Sequence, residues 1–151
     1  MQLSKEVASD LRKAVIDAIT PLVVGGVTIP VKDSFLNPTV TPATYLGGQA
    51  YVLITDQTDT EVTGNRCSPR MTANLTLDII TKFPSGFSGK LASENIASSI
   101  RPMITKQVLV MPSEWLIIDI KSFTQSIIEQ GSTQVAYRKL LRYSFDIWQV
   151  A

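Results

Sequence analysis

The last quarter of the chain, from Trp115 to Ala151, constrains the fold more than any other segment. Its final stretch places Tyr137, Leu141, Tyr143, Phe145 and Ile147 at odd positions and Arg138, Arg142, Ser144 and Asp146 at even ones. Successive side chains of a strand point to opposite faces, so this alternation predicts a strand with one face on a core and the other on water or a partner. The stretch before it alternates through Leu116, Ile118 and Ile120 against Asp119 and Lys121, with Gly131-Ser132 as turn chemistry between the two. The expectation is a long antiparallel C-terminal β-hairpin, in a fold that needs the hairpin to be complete.

Histidine is absent, and cysteine occurs once, at Cys67. Without an imidazole there is no Ser-His-Asp or Cys-His nucleophilic site and no His-containing metal site. One thiol makes neither an internal disulfide nor a thiolate cluster. With no base to activate it, Cys67 reads as an incidental loop residue, and its isolation fits a reducing cytoplasm. The 151 residues are 44% apolar and 18% charged, the composition of a globular chain, read here as one domain over residues 1–151. A net charge of +1 supplies no global field toward nucleic acid or membrane. No apolar run reaches the roughly 18–20 residues of a membrane-spanning helix. The opening Met-Gln-Leu-Ser-Lys-Glu lacks the apolar stretch of a signal peptide, so none is expected.

Ser4 is a predicted cap for a helix reaching about Thr20, with Val7, Leu11, Ala14, Val15, Ala18 and Ile19 on one side and Leu3 positioned to staple onto Ala8. Pro21 and Gly25-Gly26 end it. Val27–Val31 reads as a short strand confined to a sheet edge by Pro30. Lys32 to Gln49, with Pro38, Pro42, Gly47 and Gly48, reads as an extended loop. Ala50–Thr55 is apolar on both faces, as in a central strand. Met71–Lys82 alternates, with Met71, Ala73, Leu75, Leu77 and Ile79 facing one way and Thr72, Asn74, Thr76 and Asp78 the other. Between these strands, Asp56 to Arg70 reads as a protruding polar loop with Gly64-Asn65 and Pro69 as turn elements. After a turn-rich break at Phe83–Gly89, a second helix is expected from about Lys90 to Arg101, and Gln107–Met111 as a further short strand. The order predicts an α+β fold: an antiparallel or mixed sheet of about five strands with two helices packed on one face.

No constellation carries catalysis. Asp56, Asp59 and Glu61 lack the spacing and the distal glutamate of a calcium loop and read as a solvated acidic stretch. Ser85-Gly86-Phe87-Ser88-Gly89-Lys90 has the wrong glycine spacing for a phosphate loop, and Leu91 stands where a hydroxyl follows the lysine in such loops. Arg138, Lys139 and Arg142, interleaved with Tyr137, Tyr143 and Trp148, have the composition of a single-strand nucleic-acid surface, but their odd-numbered aromatics belong to the buried face. No catalytic, cofactor or metal residue is assigned. A carboxylate pair such as Asp119 with Glu129 lies far apart along one strand.

Several of these patterns together resemble the tail-terminator, or tail-completion, proteins of long-tailed bacteriophages. They are the first helix with Leu11-Arg12-Lys13-Ala14-Val15, the strand Tyr51-Val52-Leu53-Ile54 followed by a polar excursion, and the strand Leu75-Thr76-Leu77-Asp78-Ile79-Ile80. The helix from Ala92 to Ile100 and the closing Tyr143-Ser144-Phe145-Asp146-Ile147 complete the set. The resemblance implies an α+β protomer in a six-membered ring at the head-proximal end of the tail tube, assembled in the host cytoplasm. That ring halts tube growth, docks the head-completion complex and passes DNA without reading it. The partners implied are other copies of the chain, the tail-tube protein and a head-completion or neck protein. Other neck or tail components, a head-closure or tail-tube protein, resemble the same pattern. The Pro/Thr-rich segment before Gln49 departs from the family in its length. A head-to-tail ring joins two different surfaces of each protomer. The residues expected on one of them are Asp56, Asp59, Glu61, Arg66, Arg70, Thr72, Asn74 and Asp78.

Overall fold

The computed structural model describes residues 6–33, 40–62, 70–84, 89–131 and 134–150. The first helix, α1 (Ala8–Ile19), buries Leu11, Ala14, Val15 and Ile19, the stripe set by its three- and four-residue spacing. Its N-cap is Val7, with no side-chain cap; the predicted Ser4 cap and Leu3 staple lie outside the described residues. A small hairpin follows, β1 (Leu22–Val24) with β2 (Val27–Ile29), turning through Gly25 and Gly26 at φ 56° and 79°, which glycine adopts without penalty.

Pro30 divides the single strand expected over Val27–Val31. Residues before it form β2, and residues after it form β3 (Val31–Asp33), which pairs in parallel with the middle of β5 (Gly48–Val62). The proline stands just before the first paired residue of β3, where a missing N–H is tolerated, and its carbonyl accepts the Val52 amide at 2.9 Å. The segment expected as a loop up to Gln49 contains β3 and β4 (Ala43–Tyr45), the latter antiparallel to the start of β5; Pro38 lies outside the described residues.

The largest difference from expectation concerns Asp56–Arg70. Its first half is not a loop. Asp56 to Val62 continue β5, pairing antiparallel with β6 (Arg70–Pro84) down to Val62 opposite Arg70. Polar side chains alone read as loop, whereas the two strands here present polar residues on surfaces that the core does not cover. After β6 come α2 (Gly89–Ile100), one 3-10 turn at Arg101–Met103, then β7 (Trp115–Gln130) and β8 (Gln134–Gln149). Residues 107–111, expected as a strand, lie in turn and irregular backbone.

Among the described residues the main sheet has six strands, with spatial order β3-β5-β6-β8-β7 and β4 also on β5; with the β1-β2 hairpin the strands exceed the expected five. The α+β class and the C-terminal hairpin are as expected. α1 lies against β3 and β5, and α2 against β6 and β8. One buried cluster joins Leu11, Val15 and Ile19 of α1, Ile96 and Ile100 of α2, and Val52, Ile54, Leu77, Ile79, Leu141 and Phe145 of the sheet. Both helices therefore cover the same face.

Candidate functional site

Residues directly opposite across a ladder share a face, so the register sorts every candidate side chain. β5 carries a bulge between Ile54 and Asp56, which makes Thr55 the extra residue. Beyond the bulge the alternation is reset. Asp56, Thr58 and Thr60 oppose Thr76, Asn74 and Thr72 on the face away from the helices. Gln57, Asp59 and Glu61 oppose Leu75, Ala73 and Met71 on the helix face. The acidic trio is thereby split. Gln57 confirms the side it occupies: its Nε2 donates to the Ala8 carbonyl at 3.0 Å, and its Oε1 accepts from Arg12 at 2.6 Å.

Of the predicted interface residues, Asp56, Arg70, Thr72, Asn74 and Asp78 come together on the open face. Asp59 and Glu61 stand on the helix side of the β5 edge. Arg66, with Cys67, Gly64-Asn65 and Pro69, lies outside the described residues, as do residues 85–88 of the glycine-rich turn. On the open face Asn74 donates to the Thr58 hydroxyl at 3.2 Å. Arg70 pairs with Asp146 at 3.3 Å and lies 5.8 Å from the ring centre of Trp148.

Asp78 is 1% exposed although it points away from the helices. Arg138 on β8 reaches it with Nη2 at 2.6 Å and holds Glu129 of β7 with Nη1 at 3.2 Å. These bonds, the one to Asp78 foremost, raise the Arg138 pKa further above its already high value. The three basic residues of the last strand do not form one patch. Arg138 and Arg142 face the open side, opposite Ile80 and Thr76, whereas Lys139 opposes Ile79 on the helix face. Tyr137 and Tyr143 also take the helix face. A groove of about 360 Å3 crosses the open face between Asp56, Asn74, Lys121, Phe123 and Arg142. Phe123, 60% exposed, stands at its rim.

β7 forms one edge of the sheet. A bulge between Ile117 and Asp119 puts Leu116 opposite Trp148 on the open face and Ile120 opposite Phe145 on the core face. The simple alternation Leu116, Ile118, Ile120 expected from the sequence is broken there. Leu116 is 48% exposed as a result. Trp115 turns inward, and its indole donates to Asp10 of α1 at 3.1 Å.

Sequence reasoning missed a pocket of about 280 Å3 on the helix side of β7, between that edge and the segment after α2. Arg101, Thr105, Lys106, Asp119, Ser122 and Tyr143 contribute to its lining. Tyr143 is 4% exposed, and its hydroxyl has no hydrogen-bond partner among the described residues. Burial raises the Tyr143 pKa, with Arg101 acting in the opposite direction. Arg101 and Lys106 are both exposed at their heads; the first donates to Thr124 at 2.9 Å and the second to the Ile118 carbonyl at 3.1 Å. At the opposite edge of the sheet, partial desolvation raises the Asp59 pKa; the Glu6 carboxylate adds to this and Arg12 offsets part of it. Nothing in the residue types alone signals the pocket, because its members are gathered from three separate segments.

A comparison with solved structures finds the same architecture in a chain from the "Virion of native gene transfer agent (GTA) particle". The alignment has a TM-score of 0.63 and covers 95% of this chain and 99% of that one. The two share a fold. Sequence identity is 14%, so the likeness is one of architecture and not of residues. A second solved chain aligns over 92% of each at 18% identity, with a TM-score of only 0.42. No protein-family model matches the sequence, and no curated protein matches it.

Proposed function

We propose that this chain is a non-enzymatic structural component of a phage-like virion, and specifically a tail terminator. In this reading six copies close into a ring at the head-proximal end of the tail tube, stop its growth and present a docking surface to the head-completion proteins. DNA passes through the lumen. The observation that carries the reading is the end-to-end likeness to a virion chain, in which neither protein has a large unmatched part. The resemblance in sequence pattern supports the finer position at the tail end. The sheet adds support of its own, since it has two different exposed edges, as a head-to-tail ring requires.

Native mass spectrometry over a concentration series, with negative-stain images of the same samples, tests this. Closed rings of about 100 kDa, six copies of the 16.6 kDa chain, are expected. Open stacks of unlimited length would instead make it a tail-tube protein. Retention on single-stranded DNA with a steep loss on adding salt would point to a nucleic-acid-binding module. The Arg138 ion pairs weigh against that outcome, since they already engage one of its three cations.

A further inference from the structure

The pocket beside β7 and the acidic outer edge of β5 lie at opposite sides of one sheet, yet they match in face, in height and in charge. In face, Asp59 and Glu61 stand on the helix side, and so do Ile120, Ser122 and Tyr143 of the pocket. In height, Asp59, Ala73, Phe145 and Ile120 form a single cross-strand row, and Gln57, Leu75, Tyr143 and Ser122 form the next. A neighbour that continues the sheet sideways meets the edge of β7 along these same rows. In charge, the pocket presents Arg101 and Lys106 against the single carboxylate of Asp119, while the β5 edge presents carboxylates.

The pocket also holds a group in need of a partner. A buried hydroxyl left without a hydrogen bond costs on the order of 1–3 kcal/mol in general. The Tyr143 hydroxyl is such a group among the described residues, in a side chain more than nine-tenths buried. A carboxylate entering between Arg101 and Lys106 supplies a counter-charge to both cations, and an acceptor to the phenol once the lining over that enclosed oxygen shifts.

We infer that this pocket is the receiving half of the contact between copies, and that its ligand is the carboxylate edge of the next copy, Asp59 with Glu61. The inference rests on the ring reading and names the residues that close it. Six such contacts in a cycle leave every pocket filled and every acidic edge covered.

Two charge-reversed variants test it, each first checked for native circular dichroism. Arg101→Glu with Lys106→Glu reverses the pocket, and Asp59→Lys with Glu61→Lys reverses the edge. Each alone is expected to need about tenfold or more higher concentration than the unmodified chain to form rings. Mixed in equal amounts they are expected to assemble again, as rings in which the two variants alternate, because each reversed surface then meets its reversed complement. Native mass spectrometry resolves the alternating composition. Rings from either folded variant at the unmodified chain's concentration overturn the pairing and leave the ring reading intact. So does a mixture that fails to assemble. An unmodified chain that forms no closed ring at any concentration overturns both.

Discussion

At the scale of single residues, the most consequential ionic contact is that of Arg138 with Asp78. A carboxylate 1% exposed on the face away from the helices has given up its water, and the guanidinium 2.6 Å away is what offsets that loss. The two partners are not equivalent. Arg138 keeps Glu129 and some solvent if Asp78 is removed, whereas Asp78 without Arg138 is a buried charge with its principal counter-ion gone. Arg138→Met is therefore expected to destabilise the protein by about 3 kcal/mol, as is typical when one partner of a buried pair is removed. The double variant Asp78→Leu with Arg138→Met is expected to recover most of that, since no charge is then stranded. Urea denaturation of the three proteins checks both statements. An unchanged midpoint for Arg138→Met would mean that the pair contributes nothing.

At the scale of elements, the sequence revealed period but not phase. The alternation of Met71–Lys82 and of the last strand assigned the faces correctly, because in both strands the pleat runs without interruption, although Tyr137 on the core face is only half-buried and Thr76 and Asp78 on the other face are buried. The two bulges were invisible. Each inserts one residue, Thr55 or Ile118, and so moves every later side chain to the other face, without any unusual residue type to announce it. That is why Leu116 parts from Ile120, whereas Asp56 parts from Asp59 and Glu61 by ordinary two-residue alternation, the bulge deciding only which of them takes the helix face. The strand content of Asp56–Val62 was hidden for a related reason: its polar residues face surfaces outside the core, where polarity does not distinguish strand from loop. The pocket beside β7 was illegible because tertiary packing alone assembles it. Packing between elements also explains Gly48 at the start of β5. A Cβ there would lie 2.6 Å from the ring of Phe83, which is fully buried and has nowhere to move. Gly48→Ala is expected to cost about 1–3 kcal/mol through overpacking. Adding Phe83→Leu is expected to return part of it, a coupling that a double-mutant cycle in urea measures. Strict additivity of the two changes would place the strain elsewhere.

At the scale of the whole molecule, the order in the sheet decides which part of the chain the rest depends on. β8 is last in sequence but interior in space, between β6 and β7. It contributes Leu141, Tyr143, Phe145 and Ile147 to the cluster that both helices cover. Without it, β6 loses its neighbour along its whole length, from Arg70 opposite Trp148 to Pro84 opposite Gln134, and β7 loses its only strand partner among the described residues. The pairing of β6 with β8 joins distant parts of the sequence, so its stabilising contacts arrive only once a long loop has closed. No partial sheet is left that buries a comparable core. A chain lacking residues 134–151 is therefore expected to show no cooperative melting transition and a collapsed spread of amide proton shifts, in place of a smaller native fold. Retention of a cooperative transition in that truncated chain would mean that β3, β5 and β6 with the helices form a self-sufficient core. The last strand would then be an attachment to the fold and not its centre.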